Sequence, residues 1–261
     1  MWQDGLRAGL TSPAVAQIPG LVSKSQISIK LQAAQAFRGD GMIKVIVLLA
    51  ADDGAEVFRA AGASAAQTAL RTFAGLVGYI QTRALDQQPG GGPPPYRGVA
   101  ELWFTEATEA WRAAADEAAL GQLLADGVTV AGVVVGIERT VMRQPEHAHG
   151  SGIKGVYPFC RKADMNVEDF QAYWWHRHGP IAARTENALA YYQCHPLQAA
   201  DAPVRSSFDG VTEICWRNTE EALAALTSRQ MSEDQGDDAA NFVDVDSVRL
   251  LLGAEEVVIA P

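Results

Sequence analysis

Positive charge is scarce in this 261-residue sequence. Its Lys and Arg number 21 against 31 Asp and Glu, a formal net charge of −10. A surface that grips nucleic acid needs a cationic face, so that class is excluded. Docking onto anionic lipid is disfavoured on the same ground. Cysteine is scarce as well. Cys160, Cys194 and Cys215 are odd in number and widely spaced, which excludes a disulfide framework and a C-x-x-C zinc site. They fit a reducing, cytoplasmic setting. No apolar run approaches the roughly 18–20 residues that span a bilayer. Phosphate-binding glycine patterns are missing too. GGGPPP at 90–95 lacks the G-x-x-x-x-G-K-[ST] run and the G-x-G-x-x-G context, so it is expected as a hairpin connection stiffened by Pro93 to Pro95. What is present is a 48% hydrophobic fraction, enough to build the core of one large domain or two ordinary ones.

The sequence repeats itself. Tyr79 aligns with Tyr191 and Tyr96 with Phe208, each pair 112 residues apart. The same offset sets Gly98-Val99-Ala100-Glu101-Leu102 against Gly210-Val211-Thr212-Glu213-Ile214. More loosely, Ile43-Lys44-Val45 resembles Ile153-Lys154-Gly155, and Glu138-Arg139-Thr140-Val141 resembles Glu255-Glu256-Val257-Val258. Two copies of one unit are therefore expected, over 42–142 and 152–261. The stretch 143–151, with Pro, Gly and Ser, should form a flexible linker. Residues 1–41 differ from the rest: they are weakly basic, and Pro13, Gln17, Pro19 and Gly20 break any signal-peptide core. They are expected as a mobile arm or as the product of an upstream start codon, the first strand opening just behind Met42.

Each copy reads strand, helix, strand, strand, helix, strand. In the second, IKGVYPF is a strand, and Asn166 should cap a helix with Asp169 reaching back to it. Phe170, Tyr173, Trp174, Arg177 and His178 then share one helix face, until Pro180 bends or stops the helix at Gly179. Leu189 to Cys194 and Gly210 to Trp216 are the middle strands. Thr219 to Ser228 is a second helix capped by Asn218 or Thr219, and Ser247 to Ile259 closes the unit. The βαββαβ order is that of the ferredoxin-like split βαβ. The fold class is α+β: two tandem ferredoxin-like units whose sheets pack into a pseudo-dimeric α/β barrel, each covering the other's bare face.

Phe170-Gln-Ala-Tyr173-Trp174-Trp175-His176-Arg177-His178-Gly179-Pro180 resembles the F-x-x-Y-W-x-x-x-H-x-P helix of the EthD family, and Phe208 to Trp216 resembles its Y-D-G-V-A-E-L-W-F strand. The match covers the second copy. The first keeps the strand as Tyr96 to Phe104 but has Val57 to Ser64, without Trp or His, where the helix motif belongs. The resemblance implies a dimeric α/β barrel with one complete site and one vestigial one. It also implies relatives among cofactor-free polyketide cyclases, tailoring proteins and lactone isomerases. The family histidine falls on His178, with His176 an extra.

His178 is the leading candidate, because an imidazole both takes and gives a proton near neutrality; a histidine merely bonding the turn is the alternative. Tyr173 is a hydrogen-bond donor for an oxyanion and Trp174 a flat wall, unless both only pack the helix. Arg177 could clamp a carboxylate or enolate, or simply be solvated. His176, Tyr191 and Tyr192 are candidate substrate contacts. Glu213 either orients His178 or, since Glu101 matches it in the first copy, pairs across the two sheets. The five histidines all lie within 147–195, but His176 and His178 point about 200° apart on a helix, so no metal centre is expected. Without C-x-x-C-H, no haem attachment is expected either, and no cofactor is required. The acidic stretch Ser232 to Asp238 is expected to fold over the site mouth. The function expected is a cofactor-independent lyase or isomerase for a small aromatic, polyketide-like or lactone substrate. The alternative is a non-catalytic binding protein that holds a hydrophobic metabolite for an oxygenase. The partners are the substrate and the chain's own internal pseudo-dimer, with further homodimerisation open.

Overall fold

The computed structural model describes residues 42–145, 147, 149–150 and 152–261. The arm expected over 1–41 lies outside them. The first half runs β1 (Ile43–Ala50), α1 (Gly62–Thr72), β2 (Leu76–Ala84), β3 (Gly98–Phe104), α2 (Ala107–Ala115), α3 (Glu117–Gly121) and β4 (Thr129–Arg143). The second runs β5 (Ile153–Arg161), α4 (Val167–Tyr173), a π-helical turn (Trp174–His178), α5 (Gly179–Ala182), β6 (Ala190–Pro196), β7 (Gly210–Trp216) and α6 (Thr219–Leu226). A second π-helical turn (Gln230–Gln235), α7 (Gly236–Ala239), β8 (Val243–Asp244) and β9 (Leu251–Ile259) complete it.

All strand pairs are antiparallel. The order β7-β6-β4-β1-β3-β2-β9-β5 closes through β5 and β7, giving an eight-stranded barrel, with β8 added beside β5. The first-half strands lie in the order β4-β1-β3-β2 and the second-half strands in the matching order β9-β5-β7-β6. The seams are β4 against β6 and β2 against β9, so each half closes its sheet on the other. Closure leaves no unpaired edge among these eight strands, which protects them from intermolecular pairing.

A strand alternates its side chains between two faces, and both faces of this sheet are covered. In β1, Val45, Val47 and Leu49 pack outward with Leu102, Phe104 and the alanines of α1 and α2, while Ile46 and Leu48 join Val99, Val134, Val156 and Leu251 inside the barrel. The lumen is therefore filled rather than hollow. Above the aliphatic layer lies a charged one. Lys44 Nζ is 2.6 Å from Glu101, 2.8 Å from Glu138 and 2.5 Å from Glu213. Lys154 Nζ is 2.9 Å from Glu101 and also pairs with Glu255. Charges survive there only because each is paired. Against the cost of burial, Lys154 and Lys44 hold the Glu101 carboxyl far below the usual range. Burial and the neighbouring Glu101 charge push Glu213 the other way, to about 8.

Several local expectations need correction. Asn166 caps α4, its side chain accepting from the Asp169 N–H at 2.8 Å, but the Asp169 carboxylate accepts from the Asn166 side-chain amide at 2.6 Å rather than from its backbone N–H. The last strand begins at Leu251, because Val245 to Ser247 forms a short turn of helix first. In the stretch expected as a linker, His147 is buried, and the His149 ring stacks on Tyr192 at 5.0 Å and lies 5.7 Å from Trp103.

Candidate functional site

The motif helix packs on the outer face of the second half. Phe170 and Trp174 are fully buried, their rings 5.7 Å apart, and Trp174 also meets Phe159 edge-on at 5.0 Å and stacks on His195 at 4.4 Å. Gly210 makes room for this aromatic group, since a Cβ there would come within 2.8 Å of Phe159 and 2.9 Å of Trp174. At Trp174 the helix widens. The Gly179 N–H bonds back to the Trp174 carbonyl, five residues away. Pro180 has no N–H to give, so the regular i→i−4 ladder cannot continue through it, and a π turn is one way to absorb the loss. The helix thus continues past Pro180 rather than stopping. The widening also turns Arg177 out of the face it was expected to share: Arg177 and His176 are exposed, while His178 is buried.

His178 Nδ1 is 2.9 Å from Asp238 Oδ2, and the Tyr173 hydroxyl donates to Asp238 Oδ1, also at 2.9 Å. The carboxylate fixes the tautomer with the proton on Nδ1, which leaves Nε2 as the basic atom. Burial pulls the His178 pKa below its ordinary value of 6.5, against the hydrogen bond and charge of Asp238. The imidazole is therefore neutral, and able to accept a proton, at neutral pH.

His178 lines a cavity of about 290 Å³ between the motif helix, the outer face of β5, β6 and β7, and the segment 231–248. Phe159, Trp174, Ile214, Met231 and Phe242 make it apolar. Its few polar groups besides His178 include Tyr191, Thr212 and Gln235, the Tyr191 hydroxyl being bonded to Thr212. Val245 and Val248, both exposed, line it as well. A largely apolar hollow with a few convergent polar atoms is the usual form of a small-molecule site.

Of the residues singled out from the sequence, the structure brings His178, Trp174 and Tyr191 to the cavity and links Tyr173 to it through Asp238. It separates Tyr192 and Glu213 from them. Their register partners on β4 and β5 place them on the inner face of the barrel, with Glu213 bound to Lys44. Glu213 therefore cannot orient His178. Asp238 does so, and the sequence argument missed it. The acidic run was recognised only as solvated cover for the site mouth. The cue was that it is folded into helix, in which one carboxylate of Asp237-Asp238 turns inward; nothing local says which. Among the described residues, no cluster of three or more His, Cys, Asp or Glu side chains could hold a metal ion.

Together, the closed antiparallel sheet and its outer helices define an α+β barrel of the dimeric α/β-barrel class. The EthD domain model matches residues 162–246 of the second half, which span the motif helix, β6, β7 and Asp238. The chain is similar in structure to an anthrone oxidase-like protein, at 9% identity and a TM-score of 0.52, over 84% of this chain and 94% of that one. It also matches an EthD family protein from Bacillus halodurans at 15% identity, over 39% of this chain and 95% of that one, with a TM-score of 0.33. A chlorite dismutase variant from Candidatus Nitrospira defluvii matches at 11% identity over 85% and 95%, with a TM-score of 0.46. No curated protein matches the sequence.

Proposed function

We propose that the second half is the active site of a lyase or isomerase acting, without a cofactor, on a small, flat, oxygenated molecule of aromatic, polyketide-like or lactone type. One observation carries this: a buried histidine, its Nδ1 held by a carboxylate, borders an apolar cavity. In such a reaction Nε2 would take a proton from carbon next to a carbonyl. The imidazolium, held by Asp238, would return it to another carbon or to a departing hydroxyl. Trp174, Phe159 and Phe242 would hold the flat body of the substrate.

Replacing His178 by Gln should lower turnover of a substrate by about 10²–10⁴-fold, the usual contribution of a general acid–base. Unchanged turnover would remove the reading. Asp238→Asn should leave a weaker base. The acid limb of the kcat/KM profile, which in the wild type lies below pH 6.5 because burial lowers the His178 pKa, should move further toward acid.

We also infer that the chain is a fused pseudo-dimer of two βαββαβ units, over 42–142 and 152–261. Each buried charge in the lumen has a counterpart in the other half: Lys44 and Lys154, Glu101 and Glu213, Glu138 and Glu255. The three free cysteines support a cytoplasmic place of action.

A further inference from the structure

A second cavity, of about 770 Å³, opens on the outer face of the first half between α1, β2 and α3. It occupies the position that the His178 cavity holds in the second half, with Tyr79 on its wall where Tyr191 stands 112 residues later. Large rings crowd the second-half cavity. Here Ala65, Ala119 and Gly121 leave the space open.

Two of its polar groups, Gln81 and Tyr79, end a hydrogen-bonded chain that starts outside it. Arg83 bonds Glu256 through Nη1 at 2.9 Å and donates from Nη2 to Gln81 Oε1 at 3.0 Å. Gln81 Nε2 donates to the Ala60 carbonyl and to the Tyr79 hydroxyl oxygen, each at 3.0 Å. The donors run in one sense, from the guanidinium through Gln81 to Tyr79. The Tyr79 oxygen is already an acceptor, so its own proton is the free end of the chain, and it has no acceptor among the described residues. A buried phenol whose oxygen already accepts a hydrogen bond still has its own proton to place, and calls for an acceptor. Tyr79 is buried at the wall of the cavity.

The charges around it agree. Arg71, exposed in the last turn of α1, lines the cavity and has no acidic partner among the described residues. Arg59 also lines it, held on its outer side by Asp126 at 2.8 Å. Asp116 is the single acid of the lining; its Oδ1 accepts from the Ala119 N–H at 2.9 Å, so the two arginines of the lining outnumber one carboxylate.

We propose that this cavity is a second binding site, separate from the His178 site, for a small molecule carrying an oxyanion, either a carboxylate or a phosphate. The Tyr79 hydroxyl donates to the anionic oxygen from the floor, and the guanidinium of Arg71 supplies charge and paired donors from the rim. The small residues of α1 and α3 leave room for the body of the ligand.

The test is titration of the full chain with sodium benzoate, with inorganic phosphate and with neutral benzyl alcohol, followed by amide chemical shifts and calorimetry. Saturable binding of benzoate or of phosphate is expected, with shifts on α1, β2 and α3, and benzyl alcohol should bind at least tenfold more weakly than the better anion. Whichever anion binds assigns the site to carboxylates or to phosphates. Arg71→Gln, a change at an exposed position, should weaken that binding at least fivefold, Tyr79→Phe should do the same, and His178→Gln should leave it unchanged. Absence of saturable binding by both anions overturns the proposal. So does binding that Arg71→Gln leaves intact, or that His178→Gln abolishes.

Discussion

The two halves of the chain build the same surface in opposite chemistry. In each, a helix lies across the outer face of the sheet above a tyrosine of the second strand, Tyr79 in one and Tyr191 in the other. The second half fills that space with Phe159, Phe170, Trp174 and Phe242 and keeps a hollow of about 290 Å³ with one buried imidazole in it. The first half has alanine and glycine at the corresponding layer, leaves about 770 Å³, and lines it with Arg59, Arg71, Thr68 and Gln122. The lesson is that the inner face of the barrel constrains both halves alike while the outer face does not. Without the aromatic motif, the first half keeps a polar hollow where the second keeps an apolar one.

The inner face is where the halves can be played against each other most severely. Lys44 is shared by three carboxylates, Glu101, Glu138 and Glu213, and is fully buried. Lys44→Met keeps much of the volume but leaves those carboxylates short of a cation. Breaking a buried network from one side in this way costs about 3–5 kcal/mol. Chemical denaturation should show that loss, and a loss below about 1 kcal/mol would mean that Lys154 alone can hold the cluster.

A smaller, sharper comparison uses the matched pair Glu101 and Glu213. The two stand at equivalent places, yet Glu101 is kept ionised by both lysines, while burial and the Glu101 charge raise Glu213 to about 8 from an ordinary 4.5. Between those two values the folded chain holds a proton on Glu213 that the unfolded chain has released. Stability from this group is therefore present at low pH and lost as pH rises from about 4.5 toward 8, at up to about 1.4 kcal/mol per pH unit. Glu213→Gln should remove that slope and change stability little near pH 5. Glu101→Gln removes a charge that both lysines need, and should destabilise at every pH above its own low titration. Denaturation midpoints of the two variants relative to wild type, taken from pH 5 to 8, read this directly. Parallel curves would show that the two carboxylates share one protonation state.

How much of this was legible in the sequence follows the same division. The α+β class and the succession of strands and helices in each half could be read from residues alone, and Glu101 could be aligned with Glu213, because a strand alternates its side chains between two faces. His178 and Trp174 were legible from one helical motif. Three things were not. Arg177 left the expected face because a π turn at Trp174 shifts the helix phase, and periodicity assumes a regular helix. Glu213 could not be assigned to a face until the register with β5 was known. Asp238 reaches His178 across 60 residues from an acidic run whose members look alike in sequence.

The smallest test concerns how each half starts its helices. In the second half Asn166 and Asn218 cap α4 and α6, accepting from Asp169 and Glu221 N–H groups at 2.8 and 2.9 Å. In the first half, α1 starts behind Ala61, which makes no side-chain cap bond although its backbone, at φ −125° and ψ 166°, is already extended in the manner of a capping residue. Its first N–H, on Gly62, is satisfied by Glu256 at 2.9 Å instead, while among the described residues no side chain serves the exposed Ala63 and Ser64 N–H groups. Asn166→Ala should therefore cost about 1 kcal/mol, whereas Ala61→Ser should recover about 0.5–1 kcal/mol by supplying the missing acceptor. If Ala61→Ser gives no gain in denaturation midpoint while Asn166→Ala gives the full loss, the start of α1 is being set by Glu256 of the other half rather than by its own sequence. The first half would then depend on the second for its helix as well as for the closure of its sheet.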